Sequence, residues 1–449
     1  MTALAPAGWW RGLGGLTRSG SAVEGLSWAL YDFANTIYSF AIVSFAMGPW
    51  ATRYLGESAG TLAFTLAASL SVLANALVSP PLGAMSDRTG GRKAYLLVFT
   101  VLCIVPTMLI GLVGIWVGLL FFALANFAYQ AALIYYDAIL PDVARPETRG
   151  RLSGIGVGLG YLGTIVSGLL YGLTTDPDGD STAASFLLVG SLFAVFAVPL
   201  FVAVRELPRP RSPFRAREAL ASWSQLGRTV ANARHSPGLL RFIVGRFFYS
   251  DPINTAIAVM SLFAINAVGF SQSGARYVLI GLTVVAVLAS FGWGWLVDRI
   301  GPKRTLLAVL ISWVVGLLLI GLVLQTVPFL IAGAILGSGL GGVAVTDRLY
   351  LLRLAPPAQV GEMFGLYGLA GKLSAVVGPV IFGVTVFFLQ PVMGKAAYQV
   401  AILSLLGLMV IGYLIIRGVP EGVGHVDDAE VAAAATFEPA IVPPGELPR

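Results

Sequence analysis

Two stretches of this sequence place groups that can carry a proton or hold a substrate inside runs that are otherwise hydrocarbon. In "YDFANTIYSF", Tyr31 to Phe40, the residues Asp32, Asn35, Thr36 and Ser39 fall at i, i+3, i+4 and i+7, which is one face of a helix. In "DPINTAIAV", Asp251 to Val259, the spacing returns as Asp251, Asn254 and Thr255. A charged side chain within a bilayer costs at least about 2.5 kcal/mol on insertion scales, so each face should look into a helix bundle or a wet cavity. Such a carboxylate serves either as a proton or substrate site or as a tie between helix ends. Counted from Trp28, Asp32 lies one turn in, roughly 6 Å, which sets it near the cytoplasmic mouth of its helix. Asn126 and Gln130, spaced i to i+4, and Asn75 are deeper amides that suit a zwitterion, or that bridge helices for less than about 2 kcal/mol. Arg348, beside Asp347, is placed to pair with Asp32 or Asp251 or to hold a substrate carboxylate, and Asp137 is a further partner of the same kind.

The elements that carry these residues are membrane spans. Of 449 residues 57% are hydrophobic and 11% charged, against roughly one quarter charged in soluble domains. Twelve runs reach the roughly 20 apolar residues a spanning helix needs, from Trp28–Trp50 to Ala397–Ile416, and none shows the strict alternation of a barrel strand. Arg11, Arg18, Arg88, Arg92, Lys93, Arg145, Arg149, Arg151, Arg299, Lys303 and Arg304 fall on one side of these spans, leaving Arg53, Arg276 and Lys395 on the other. By the positive-inside rule both termini are cytoplasmic and the protein is a multi-pass protein of the cell (inner) membrane. The net charge of +6 therefore reports topology and not nucleic-acid binding.

The organisation that follows is a cytoplasmic N-terminal arm (1–27), a six-helix bundle (28–205), a basic linker (206–238), a second six-helix bundle (239–417) and a disordered cytoplasmic tail (418–449). In the linker, Ser212 as N-cap, Pro213 at the first helical position and Phe214, Leu220, Trp223, Leu226 and Val230 at near-helical spacing predict an amphipathic helix on the membrane surface. A loosely ordered basic linker is the other reading.

An internal duplication ties the two bundles together. Asp32-x-x-Asn35-Thr36 returns at Asp251 with an offset of 219 positions. The loop "GAMSDRTGGRK", Gly83 to Lys93, matches "GWLVDRIGPKR", Gly294 to Arg304, with Asp87 against Asp298 at an offset of 211, and Gly154 matches Gly365 at that same offset. Three landmarks in one order argue for six spans repeated.

Gly83-x-x-x-Asp87-Arg88 followed by Gly91-Arg92-Lys93 resembles the signature loop of the major facilitator superfamily, with one extra residue at Thr89-Gly90-Gly91. The blocks "WALYDFANTIYS", "YYDAILPDVA", "RGRLSGIGVGLGYLG", "RFFYSDPINT" and "FGLYGLAGKLSAVVGP" together resemble the vacuolar amino-acid effluxer (autophagy-related permease) branch and its bacterial relatives. The resemblance implies an all-α fold of two pseudo-symmetric bundles and a monomeric secondary transporter without cofactor, moving a small solute, with neutral amino-acid efflux as the family's activity. It also implies a cytoplasmic gate at Asp87, Arg88, Arg92 and Lys93, repeated at Asp298, Arg299 and Lys303. The substrate or proton pathway is then Asp32, Asn35, Thr36, Asn126, Gln130, Asp251, Asn254, Thr255 and Arg348. The alternative reading is a transport-inactive receptor or scaffold of the same fold.

Other apparent motifs fail on context. "GLGYLG" and "GSGLGG" satisfy Gly-x-Gly-x-x-Gly but lie inside apolar spans, so they are not nucleotide sites, and Gly154, Gly156, Gly158 and Gly160 instead let helix backbones approach. "DPDGD" at Asp176 lacks the glycine and glutamate of a calcium loop. No span carries a nucleophile with its base, which argues against an enzyme.

Overall fold

The computed structural model describes residues 13–145, 148–178, 180–208, 223–224, 227–228, 230–231, 233, 238–355 and 360–421, and among these every regular element is a helix. The expected linker helix and tail lie almost wholly outside the described residues. The helices are α1 (Ala22–Tyr38), α2 (Met47–Leu55), α3 (Glu57–Thr89), α4 (Arg92–Leu109), α5 (Ile115–Val143), α6 (Arg149–Tyr171) and α7 (Ala183–Ala203) in the first half of the chain. In the second half they are α8 (Leu239–Phe263), α9 (Gln272–Ile300), α10 (Pro302–Leu322), α11 (Thr326–Leu354), α12 (Val360–Met393) and α13 (Ala396–Arg417).

Ten of these stretches are long and apolar enough to cross a membrane. The two of the twelve expected runs outside that set are interrupted or polar. The first is split by a π-helical stretch, Ser39–Ala46, between α1 and α2. In α6, which opens with Arg149-Gly150-Arg151, the apolar part is Gly158–Tyr171.

Neighbour relations recur between the halves. α1 packs on α6 and α7, α4 on α5 and α7, and α3 on α5; in the same pattern α8 packs on α12 and α13, α10 on α11 and α13, and α9 on α11. The halves meet chiefly where α3 packs on α12, and also where α8 packs on the π-helical stretch and α2 and where α6 packs on α9. The duplicated loops share backbone geometry too. Gly90 and Gly301, 211 positions apart, both have positive φ (65° and 83°) and donate their N–H to the residue four back, Ser86 and Val297. Glycine is the residue that takes this conformation without strain.

The core of the first half is aromatic. Trp28 stacks on Tyr136 with centroids 4.6 Å apart, and Tyr31, wholly buried, stacks on the same ring and shares a hydrogen bond with Thr100 at 2.6 Å. Helix α1 starts earlier than the apolar run does, because the Ser21 hydroxyl accepts the Glu24 N–H at 3.3 Å and caps it. Asp32 is thus ten residues along from Ala22, about 15 Å, and not one turn from the helix start as Trp28 suggests.

Candidate functional site

A cavity of about 390 Å³ lies between the halves, lined from α1 and the π stretch, α6, α8, α9, α10 and α11. Its first-half wall is polar, with Asp32, Thr36, Ser39, Ser44, Tyr161 and Thr164; the second-half wall is almost wholly apolar, with Ile257, Met260, Leu282, Leu336 and Trp313 among its residues. Local backbone chemistry builds the polar wall. The Thr36 hydroxyl returns to the Asp32 carbonyl at 3.0 Å, and the Ser44 hydroxyl reaches the Ser39 carbonyl five residues back, in the wider π spacing. Helix α6 comes close to α1 along glycines: a Cβ at Gly160 would stand 2.8 Å from the Thr36 hydroxyl, and one at Gly163 2.6 Å from the Phe33 carbonyl oxygen. Gly156 belongs to this face and Gly158 does not, having open space beside it. The Asp32 carboxylate has no ion pair or hydrogen bond among the described residues.

Asp251 repeats the spacing but not the setting. Thr255 returns its hydroxyl to the Asp251 carbonyl at 2.8 Å, matching Thr36. The Asp251 carboxylate, however, is 1% exposed, does not line the cavity, and accepts the backbone N–H of Gly378 at 2.7 Å. Gly378 precedes Pro379 inside α12, where the proline interrupts the helical ladder. A Cβ at Gly378 would stand 2.1 Å from the Thr255 hydroxyl, so only glycine lets α12 come this near. Asn254 donates weakly to the Gly371 carbonyl and the Ser374 hydroxyl, both at 3.4 Å, while Asn35 is buried with neither amide atom partnered.

The remaining predicted residues scatter. Asn126 is buried and donates to the Ser71 hydroxyl at 2.7 Å; Gln130 is half-buried; Asn75 accepts from Lys372. All three lie outside the cavity lining. Arg348 is exposed and forms no ion pair with Asp32 or Asp251. The buried ion pair of the second half joins Arg246 to Asp347 instead. Tyr249 donates to that carboxylate at 2.6 Å, and the Arg246 guanidinium lies 3.6 Å over the Tyr367 ring. Sequence reasoning missed Arg246 and Lys372, although each is a cation inside an apolar run, which is the signal that marked the aspartates.

At the loops, the side chains of Asp87, Arg88 and Asp298 lie outside the described ones. Arg92 and Lys93 present their backbone N–H groups to Glu206, at 2.6 and 3.3 Å, so this carboxylate sits at the positive N-terminus of α4. The Arg92 guanidinium donates to the Ala138 carbonyl and the Lys93 ammonium to that of Val204, both at 2.6 Å. Arg299 lies 3.8 Å over the Trp295 ring, and Lys303 is half-buried.

Some polar contacts between the halves lie part-way along the helices, at Lys372, and others at the end away from these loops, at Gln390 and Gln272. Lys372 of α12 donates to Asn75 and Ser79 of α3, both at 3.1 Å, and Gln390 to Glu57 at 3.0 Å. Gln272 of α9 donates to Asp180, which also pairs with Arg53 at 2.8 Å. The buried Arg276 packs against Gly172 at the end of α6.

This assembly of membrane helices around a cavity between two halves is that of transporters of the major facilitator type. The fold matches a nucleoside transporter, NupG, with a TM-score of 0.69 at 13% identity, covering 88% of this chain and 99% of that one. It also matches a bacterial homologue of the human lysosomal transporter Spinster, solved in an inward-facing, unoccupied conformation, with a TM-score of 0.67 at 15% identity over 88% and 96%. More narrowly, the chain belongs to the family described as "Vacuole effluxer Atg22 like", whose pattern matches residues 54–421. Among its relatives are the MFS-type transporter YxiO of Bacillus subtilis (strain 168), 28% identical over 88% of this chain and 94% of the relative. Autophagy-related protein 22 of Coccidioides immitis (strain RS) is 28% identical over 52% of this chain and 43% of the relative. The sequence-based family assignment stands, and the chain is a multi-pass membrane transporter of that type.

Proposed function

We propose that this protein is a secondary transporter with twelve spans in two six-helix bundles, carrying a small solute by rocker-switch alternating access, with both termini cytoplasmic. Neutral amino acids, moved by efflux, are the candidate substrates. The observation that carries the reading is the cavity itself: about 390 Å³ between the halves, within the usual range of small-molecule sites, with contacts of Gln390 to Glu57 and Gln272 to Asp180 joining the halves at one end. The split first span and the polar start of α6 supply the two crossings that complete twelve, and the recurring neighbours of each half support two bundles. The distribution of basic residues makes the end with the Gln390–Glu57 and Gln272–Asp180 contacts the outer one, which supports a state closed to the outside.

Proton coupling rests on Asp32, which opens to the cavity, more than on Asp251, which is committed to Gly378. Proteoliposomes holding the purified protein should exchange internal unlabelled for external labelled leucine, and an imposed pH gradient should drive that flux. Flux through Asp32→Asn protein that kept the pH dependence of the parent would end the coupling proposal. Absence of exchange for every amino acid, amino-acid amide and amine tested would favour the receptor or scaffold reading.

A further inference from the structure

Among the described residues the cavity wall has one carboxylate and no basic group. Asp32 supplies the only carboxylate of its lining, beside the hydroxyls of Thr36 and Ser39, and no lysine, arginine or histidine lines it among the described residues. Of the second-half cations within the spans, Lys372 holds Asn75 and Ser79, Arg246 holds Asp347, and Arg276, one turn before the lining residue Leu279, packs against Gly172 at the end of α6; none of the three lines the cavity. The opposite wall, with Met260, Leu336 and Trp313, offers hydrocarbon and an aromatic ring. A solute seated here can place an ammonium group on Asp32 and an apolar body on the far wall. A carboxylate on the same solute would meet hydrocarbon, the like charge of Asp32 or the neutral hydroxyls of Ser44, Tyr161, Thr164 and Thr283, with no cation in the described lining to balance it, and a buried anion without an opposite charge is disfavoured.

We infer that this cavity recognises its solute by a single ammonium group on an apolar body and does not read a carboxylate, so that amines and amino-acid amides are preferred to free amino acids. The inference rests on the cavity being the transport site and narrows its substrate class. It follows from three placements: a carboxylate unpartnered among the described residues, hydroxyls beside it that accept the remaining ammonium hydrogens, and a wall without cations. Charge-assisted hydrogen bonds of this kind are about twice as strong as neutral ones, so Asp32 should dominate the affinity.

The test uses four probes of one shape on the full-length protein in detergent: leucine, leucinamide, 3-methylbutylamine, which is leucine without its carboxylate, and 4-methylpentanoate, which is leucine without its amine. Calorimetric titration should show the amine and the amide binding about tenfold or more tighter than leucine, and no binding of the acid. Asp32→Asn should cost the amine about tenfold or more in affinity, and Asp32→Glu should recover most of it. Thr36→Val, which keeps the charge, should weaken the amine by a smaller factor and serves if Asp32→Asn fails to fold.

Leucine binding more tightly than the amine, binding of 4-methylpentanoate, or amine affinity unchanged in Asp32→Asn would each overturn the inference. Its failure is separable from failure of the transport reading. Asp32-dependent amine binding without counterflow in proteoliposomes upholds the inference and removes the transport assignment. Leucine counterflow with no advantage for the amine does the opposite.

Discussion

Asp32 and Asp251 cannot be told apart by local sequence, since each heads the same Asp-x-x-Asn-Thr face and each has its carbonyl bonded by the threonine four residues on. Their difference comes from the helix opposite. Asp32 faces α6 at Gly156 and Gly160, whose lack of side chains leaves the carboxylate open, whereas Asp251 meets the N–H that α12 offers just before Pro379. Asp251→Leu should therefore lower the melting temperature, losing a charge-assisted hydrogen bond to a buried N–H worth about 1.5–3 kcal/mol, while Asp251→Asn keeps an acceptor and loses much less. Thermal unfolding in detergent reads the difference. Equal stability of the leucine and asparagine variants would mean that the Gly378 contact contributes nothing. What the sequence makes legible at this scale is a polar face and its period; the partner of each group is more than 120 positions away and leaves no local trace.

Among the elements, spans, repeat and glycine-lined helices could be read from composition and spacing, because lipid demands long apolar helices and close approach demands small residues. The π stretch in the first span could not, since widening a helix by one residue per turn leaves hydropathy unchanged, yet it is what brings Ser39 and Ser44 together on the cavity wall. Nor could the glycine register be settled: four candidates at Gly154 to Gly160 satisfy the spacing, but the face toward α1 runs through Gly156, Gly160 and Gly163. The consequence is a paired prediction. Gly163→Ala puts a methyl against the rigid Phe33 backbone and should cost about 1–3 kcal/mol by forcing α1 and α6 apart. Gly158→Ala, with nothing within 4 Å, should stay within about 0.5 kcal/mol of the parent. Denaturation of the two proteins side by side decides it, and equal losses would refute the assigned face.

Across the whole molecule, the proposed alternating access requires that the seal between α3 and α12 come apart, so on that proposal it has to be built from contacts that are individually weak. The polar contacts of this seal fit that requirement: two hydrogen bonds from Lys372, one from Gln390, and close packing of Gly383 on Thr65. The last of these gives a lever, because a Cβ built at Gly383 stands 3.1 Å from the Thr65 Cβ, near the roughly 3.5–4.5 Å that a disulfide spans. The chain has a single native cysteine, Cys103, and it is buried, so an engineered pair has little competition. In protein carrying Thr65→Cys and Gly383→Cys, oxidation should abolish counterflow and dithiothreitol should restore it, while ligand affinity for the cavity survives because the seal already holds this geometry in the bound-competent state. A covalently closed seal that left transport intact would show that α3 and α12 never separate during the cycle, and the solute would have to pass by a route other than this cavity.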